Sequence, residues 1–230
     1  DVKQNRARNV KKTILTTFAL ATLTHIALSE PIPYPKGVWA GFDVLDDGGV
    51  VPPGLVNNQG LVGLSATDDW DEIQTGPDTF DWSYLDKKIA AIKAAGFKYI
   101  ALGITASSDD TPQWLLDSIP TQNIIYLGDP TETHKTYCDL IKTAVYWDPT
   151  FHAARLNLIK KAGERYANDP AIVAVFAQFA NHNSNDWNIQ DTVGTIGPCS
   201  DGKTYEVNQP LQWTNAGWTI DKMLGVGKDI

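Results

Sequence analysis

The sequence has few of the residues on which several common kinds of active site depend. It contains two cysteines and four histidines among 230 residues. The histidines, at positions 25, 134, 152 and 182, lack the spacing of a metal-binding motif, so we predict no metal site. No glycine-rich phosphate-binding loop, serine nucleophile elbow or cysteine-centred motif follows a predicted strand. We therefore expect an activity that uses no cofactor.

Basic residues are also scarce beyond the first dozen positions. The chain has 19 Lys and Arg against 27 Asp and Glu, a net charge of −8. A nucleic-acid partner needs basic side chains on a common face, because they contact phosphates. This composition therefore argues against a nucleic-acid partner.

The first 30 residues are a segment of another kind. An apolar run over residues 13–27 follows a basic cluster and ends in small residues, which is the layout of a secretory signal peptide. About 15 apolar residues fall short of the ~20 that span a bilayer, which disfavours the alternative of a membrane anchor. We predict a signal peptide over residues 1–29 and no stable membrane span after its removal. The mature protein, residues 30–230, would then be secreted or periplasmic.

Export would place the two cysteines in an oxidising compartment. Cys138 and Cys199 could pair there as a disulfide. Spacing alone does not fix a bridge, so two free thiols stay as the alternative.

Four apolar runs predict buried strands over residues 37–44, 60–65, 98–104 and 171–180. Helices are predicted from Asp81 or Ser83, with Ser83 and Asp86 resembling a capping box, over residues 150–168, and from near Thr219. Shorter helical pieces are expected at residues 114–117 and 136–146. A long polar excursion is expected over residues 181–215.

Strands alternating with helices predict an α/β fold with a parallel sheet. A doubly wound sheet and a (β/α)8 TIM barrel both fit this pattern, but the missing phosphate loop disfavours the first. The long segments after strands three and four lie where barrels place substrate-binding loops. We therefore predict the first four βα units of a TIM barrel.

Both ends of the chain suggest a fragment of a longer protein. No initiator Met precedes the signal-like segment, and the last helical pattern stops at Ile230 without a stop signal. Half a barrel would leave two sheet edges unpaired, so we expect these residues alone to be inactive and poorly soluble.

Several ordered motifs resemble the N-terminal half of clan A glycoside hydrolases, nearest to their β-galactosidase-like members. The resemblance spans about residues 37–187 and implies a (β/α)8 barrel that cleaves glycosidic bonds with two carboxylates, the acid/base after strand four and the nucleophile after strand seven. It rests on Asp69-Trp70-Asp71-Glu72-Ile73, Phe80-Asp81-Trp82, Pro112-Gln113-Trp114-Leu115, Trp147-Asp148-Pro149, Glu164-Arg165-Tyr166 and the run from Asp169 to Val175.

The chain departs from that family at the acid/base position. The family pattern ends strand four with Asn-Glu, whereas this chain has Asn181-His182, and no Glu occurs between Glu164 and Glu206. The resemblance implies that Asn181 binds a sugar hydroxyl. Asp186 is the best local substitute for the acid, since burial can raise the pKa of a carboxyl group, and His182 is a candidate assistant. A loop-capping Asp186 and a rim-bonding His182 are the alternatives.

Aromatic and acidic residues after the strands are candidate substrate ligands. An indole face matches the C–H face of a pyranose, and carboxylates bind its hydroxyls. Packing beneath long loops is the alternative for the rings. The candidates are Trp70, Trp114, Trp187, Asp43 and Asp69.

Three functions remain open at this level. The first is a secreted glycosidase that acts on β-linked oligo- or polysaccharides. The second is a barrel that binds carbohydrate without cleaving it, and the third is an exported structural or interaction domain.

Overall fold

The computed structural model describes residues 35–41, 45, 49–106, 110–125, 138, 140–176, 189, 191–199 and 201–228. All of them belong to the unit Pro33–Ile230. The predicted signal peptide lies outside the described residues, so its cleavage stays a prediction.

The described residues alternate between strands and helices over most of their length. The strands are β1 (Val38–Ala40), β2 (Leu61–Asp69), β3 (Tyr99–Thr105), β4 (Thr121–Ile125), β5 (Leu140–Ala144), β6 (Ile172–Phe176), β7 (Val193–Ile196) and β8 (Tyr205–Asn208). The helices are α1 (Pro53–Val56), α2 (Trp70–Ile73), α3 (Ser83–Ala94), α4 (Gln113–Leu116), α5 (Pro149–Tyr166), α6 (Gln209–Asn215) and α7 (Ile220–Lys228).

The central feature of the described residues is a four-stranded parallel sheet. Its strand order, β1-β2-β3-β6, follows the order of the chain. These strands coincide with the four predicted from apolar runs, so the predicted α/β fold with a parallel sheet is confirmed. The part of the fourth run beyond Phe176 lies outside the described residues.

Helices α3 and α5 pack side by side on one face of this sheet. Helix α3 buries Leu85, Ile89 and Ile92, the stripe predicted from the sequence. Between the two helices, the Arg165 guanidinium and the Tyr166 hydroxyl both donate to Asp86. We call this side of the sheet the helix face.

Each of these helices begins with a local carboxylate. Asp148 accepts hydrogen bonds from the backbone N–H groups of Thr150 and Phe151, at 2.8 and 3.2 Å, and so caps α5. At α3, Asp81 accepts from the Ser83 N–H at 2.9 Å. The capping box expected from Ser83 and Asp86 is absent from the described contacts, because the Asp86 carboxylate bonds to α5 instead.

The opposite face of the sheet carries small and polar side chains. In-register pairing places Ser65 beside Ala101, Thr67 beside Gly103 and Asp69 beside Thr105. Because side chains alternate along a strand, these pairs share one face and point away from α3 and α5. We call this side the inner face.

The segment between β3 and α5 differs from its prediction. A helix was expected over residues 136–146, but Leu140–Ala144 is β5, which pairs antiparallel with β4. The β-branched residues Ile141 and Thr143 suit a strand, and the partner that stabilises it lies about twenty residues earlier. The prediction of a helix there was therefore wrong.

A second hairpin, β7–β8, lies in the segment that follows β6, before α6. A disulfide between Cys138 and Cys199, with Cα atoms 5.3 Å apart, joins this hairpin to the β4–β5 hairpin. Ile125 and Val207 pack around the two cysteines in a small apolar cluster that is separate from the main core. The long segments after β3 and after β6 are thus fastened to each other.

Candidate active site

The carboxyl ends of β2 and β3 bring several polar residues to one edge of the sheet. Asp69 ends β2 and lies in register with Thr105, the last residue of β3. The Thr105 hydroxyl donates a hydrogen bond to the Asp69 carboxylate. Asp69 is partly exposed and lies on the inner face.

Asp68 lies beside it on the helix face and is buried. Burial raises the pKa of Asp68 to about 7, while the nearby Lys88 ammonium group opposes the rise. Lys88 is itself buried and donates to the Thr67 carbonyl oxygen at 2.7 Å. The Asp68 carboxyl group can therefore hold a proton near neutral pH.

Helix α2 and the segment after β3 meet at this edge through acidic residues. The Asp71 N–H donates to the Asp110 carbonyl oxygen at 2.9 Å, which ties the segment after β2 to the segment after β3. Asp71 is an exposed residue, yet partial desolvation of its carboxyl group raises its pKa to about 6, and the charges of Asp110 and Asp69 add to the rise. The edge is thus acidic, with carboxyl groups that titrate close to neutral pH.

Trp70 does not offer a face for a sugar. Its ring is fully buried, packs edge-on against Phe151 with centroids 5.5 Å apart, and lies 5.4 Å from the Arg155 guanidinium. The indole N–H donates to the side chain of Gln74 at 2.8 Å. The expected role of Trp70 in binding substrate was wrong, because helix α5 covers the ring.

Trp114 occupies a different position. It belongs to α4, is partly exposed, and donates its indole N–H to the Gln74 carbonyl oxygen at 2.9 Å. This hydrogen bond fixes the ring orientation at the edge where β3 ends. Sugar stacking on Trp114 stays a prediction.

Five predicted site residues lie outside the described residues. They are Asp43, Asn181, His182, Asp186 and Trp187. Their roles in binding and acid catalysis stay predictions.

Sequence reasoning missed Thr105, Asp71 and Arg155. Thr105 is the polar last residue of an apolar strand, and a polar residue at the end of such a run could have been recognised in the sequence as a site candidate. Arg155 is buried under the edge and its guanidinium approaches the Ile104 carbonyl oxygen at 3.5 Å. Burial lowers its pKa to about 10, so it stays a cation at neutral pH. Arg155 lies four residues after Phe151, on the apolar side of α5, and this helical spacing could have predicted its burial.

Neither a metal-binding cluster nor a membrane-spanning helix is found among the described residues. No group of three or more His, Cys, Asp or Glu side chains there could hold a metal ion. No helix among the described residues is long and apolar enough to cross a membrane.

Comparison with known proteins places these features in a family. No curated protein matches the chain. Among solved structures, the β-galactosidase from the psychrophilic Marinomonas ef1 matches with a TM-score of 0.43 and 15% identity, over 64% of this chain. The chain spans 21% of the length of that structure.

A family model described as β-galactosidase matches residues 61–188, from the start of β2 through the predicted acid/base segment. The resemblance drawn from the ordered motifs is thereby confirmed. Because the match covers more than half of the chain, this protein belongs to glycoside hydrolase family 42, the β-galactosidases.

Proposed function

We propose that the chain is the N-terminal part of a secreted glycoside hydrolase that cleaves β-linked galactosides by carboxylate acid/base catalysis. The observation that carries the proposal is the family match over residues 61–188. The proposed enzyme has a (β/α)8 barrel, of which residues 30–230 supply about the first four βα units. Residues 1–29 would be its signal peptide.

The strand order supports a barrel over a doubly wound sheet. A doubly wound sheet reverses its strand order at a switch point and carries helices on both faces. Here the described sheet runs β1-β2-β3-β6 without reversal, and α3 and α5 contact each other on one face. The small and polar inner face then corresponds to a barrel interior.

An apolar groove beside β6 supports a barrel that continues beyond this half. The groove has a volume of about 520 Å³, lies between α5 and β6, and is lined by residues such as Leu102, Ile159 and Val175. Val175 is 66% exposed. In the proposed enzyme, the next βα unit covers this surface, since soluble proteins rarely expose an apolar surface of this kind.

The proposed chemistry divides between residues of this chain and a carboxylate beyond it. Asp186 donates the proton to the leaving oxygen, His182 assists it, and Asn181 binds a hydroxyl near the reacting carbon. Asp69 and Trp114 contact the sugar at the same edge. The partner carboxylate follows a later strand of the barrel.

Hydrolysis of an aryl β-galactoside by the full-length protein tests this proposal. We expect turnover by the wild type and a loss of at least about 100-fold in Asp186→Asn, the scale of general acid catalysis. Asp191→Asn is the matched control, because Asp191 is exposed and lies five residues further along. Full activity of Asp186→Asn would refute the assignment of the acid.

A barrel that binds carbohydrate without cleaving it is the second candidate. The absence of the Asn-Glu pair, which the chain replaces with Asn181-His182, favours it. Oligosaccharide binding without hydrolysis by the full-length wild type would establish this candidate in place of the first.

A further inference from the structure

The two hairpins that the disulfide joins enclose a hollow that the proposed catalytic residues do not use. Its volume is about 150 Å³. The β4–β5 hairpin contributes Asn123, Ile125 and Leu140, and the segment from β8 to α6 contributes Tyr205, Glu206, Val207 and Gln212. The hollow therefore exists only while both hairpins are held together.

One amide side chain that lines the hollow has hydrogen-bonding capacity that the described residues do not fill. The Oε1 atom of Gln212 is buried and accepts no hydrogen bond from them.

Such groups indicate a polar occupant. A buried acceptor or donor without a partner destabilises the fold, and native proteins keep one where a water molecule or a ligand satisfies it. The Gln212 oxygen calls for a ligand group that can donate a hydrogen bond. Hydroxyl groups have that property.

The rest of the lining adds an apolar surface and a fixed aromatic ring. Ile125 and Val207 are buried, and Leu140 is 56% exposed. The Tyr205 hydroxyl donates to Asp201 at 2.9 Å, which holds the ring in place. Flat apolar surface beside hydroxyl-binding groups is the combination that contacts a sugar ring.

The size of the hollow and the charges around it limit the class of ligand further. A volume of 150 Å³ equals about five water molecules at ~30 Å³ each, which suits one sugar ring and not a larger cofactor. Glu206 lines the hollow, and Asp201 lies beside Tyr205 with a pKa that its hydrogen bonds from Lys203 and Tyr205 lower to about 2. Negative charge disfavours an acidic sugar, so the ligand is neutral.

We propose that this hollow binds one neutral sugar residue of a glycan, outside the pair of residues joined by the bond that is cleaved. The proposal rests on the proposed glycosidase function. Both hairpins belong to segments that leave the carboxyl edge of the sheet, after β3 and after β6. We expect a chain of several sugar residues bound at that edge to extend to the hollow, and a monosaccharide to occupy only one of the two places.

The test compares ligands of different length. Binding of methyl β-galactopyranoside, β-1,4-galactotriose and β-1,4-galactotetraose is measured by isothermal titration calorimetry on the full-length protein with Asp186→Asn, which prevents turnover. Gln212→Leu should weaken tetraose binding by about three- to tenfold, the loss of one neutral hydrogen bond, and leave methyl galactoside unchanged. Gln122→Leu is the matched control, because alternation places Gln122 on the opposite side of β4 from Asn123.

A second variant keeps the test valid if Gln212→Leu fails to fold. Asn123→Ala changes an exposed strand residue and should weaken the tetraose in the same way. Equal tetraose affinity in both variants and the control, or no binding of any of these saccharides to the parent protein, overturns the proposal. Hydrolysis is measured separately, with the wild-type protein, which retains Asp186. Length-dependent binding that needs Gln212 without hydrolysis supports the hollow and refutes the catalytic proposal. Hydrolysis by the wild type, together with tetraose binding that is unchanged in Gln212→Leu, supports the catalytic proposal and refutes the hollow as a binding site.

Discussion

Replacing Trp70 with Phe separates a role in the core from a role in binding substrate. The substitution removes the indole N–H that donates to Gln74 Oε1 at 2.8 Å. Gln74 is buried, so its side-chain oxygen loses a partner at a cost of about 1–3 kcal/mol. The smaller ring also leaves space beside Phe151 and Arg155 and adds about 1–2 kcal/mol, a part of the 3–5 kcal/mol typical of Trp→Ala.

We therefore expect Trp70→Phe to lower the free energy of unfolding by about 2–5 kcal/mol. Urea denaturation followed by far-ultraviolet circular dichroism measures it by linear extrapolation. Trp218→Phe is the matched control, because Trp218 is 37% exposed, and its effect should stay within about 0.5 kcal/mol.

A second substitution isolates the hydrogen-bond contribution. Gln74→Met in the Trp70→Phe background replaces both partners with apolar groups, so about 1 kcal/mol of stability should return. The Gln74 amide also donates to the Pro77 carbonyl oxygen at 2.8 Å, but Pro77 is exposed and water can replace that donor. Unchanged stability of Trp70→Phe together with weaker glycan binding would refute the assignment of Trp70 to the core.

Two further predictions concern the disulfide and a buried acid. Replacing Cys138 and Cys199 with Ser should lower the free energy of unfolding by up to about 4 kcal/mol, because the bridge closes a loop of 61 residues and so limits the entropy of the unfolded chain. An unchanged midpoint of urea denaturation would contradict this prediction. Burial raises the pKa of Asp68 from its ordinary value of 3.8 to about 7, so between these two values the folded state keeps a proton that the unfolded chain has released. The stabilisation from Asp68 is full below the lower value and is lost as pH rises through about 7. Asp68→Asn should flatten the decline in unfolding free energy between pH 4 and 7, and an unchanged slope would contradict it.

The elements that sequence reasoning found are those determined by local pattern. Strand β3 is an apolar run up to Thr105 whose five central residues are buried, and α3 repeats apolar residues at helical spacing. Helix α5 has Pro149 at its first turn and a carboxylate cap, which are sequence-readable start signals. These elements suffice to predict the parallel sheet.

The elements that were missed depend on distant partners. Strand β5 is stabilised by β4, and hairpin β7–β8 follows from its own pairing in a polar segment where no apolar run marks a strand. The burial of Trp70 was hidden because acidic residues flank it, while its cover, Phe151 and Arg155, lies some eighty residues later in the chain. The expected pairing of Cys138 with Cys199 is confirmed, although the spacing of the two cysteines in the sequence could not by itself exclude free thiols.

On the inner face of the sheet, the Trp39 ring of β1 lies against Gly63 of the neighbouring strand β2. A Cβ atom on Gly63 would lie 2.4 Å from a ring carbon of Trp39 and 2.6 Å from the Tyr99 carbonyl oxygen, so the indole rests directly on bare backbone. No side chain larger than hydrogen fits beneath it. A larger residue at position 63 would require both a smaller side chain at position 39 and a shift of the β3 backbone at Tyr99, so these three positions cannot vary independently.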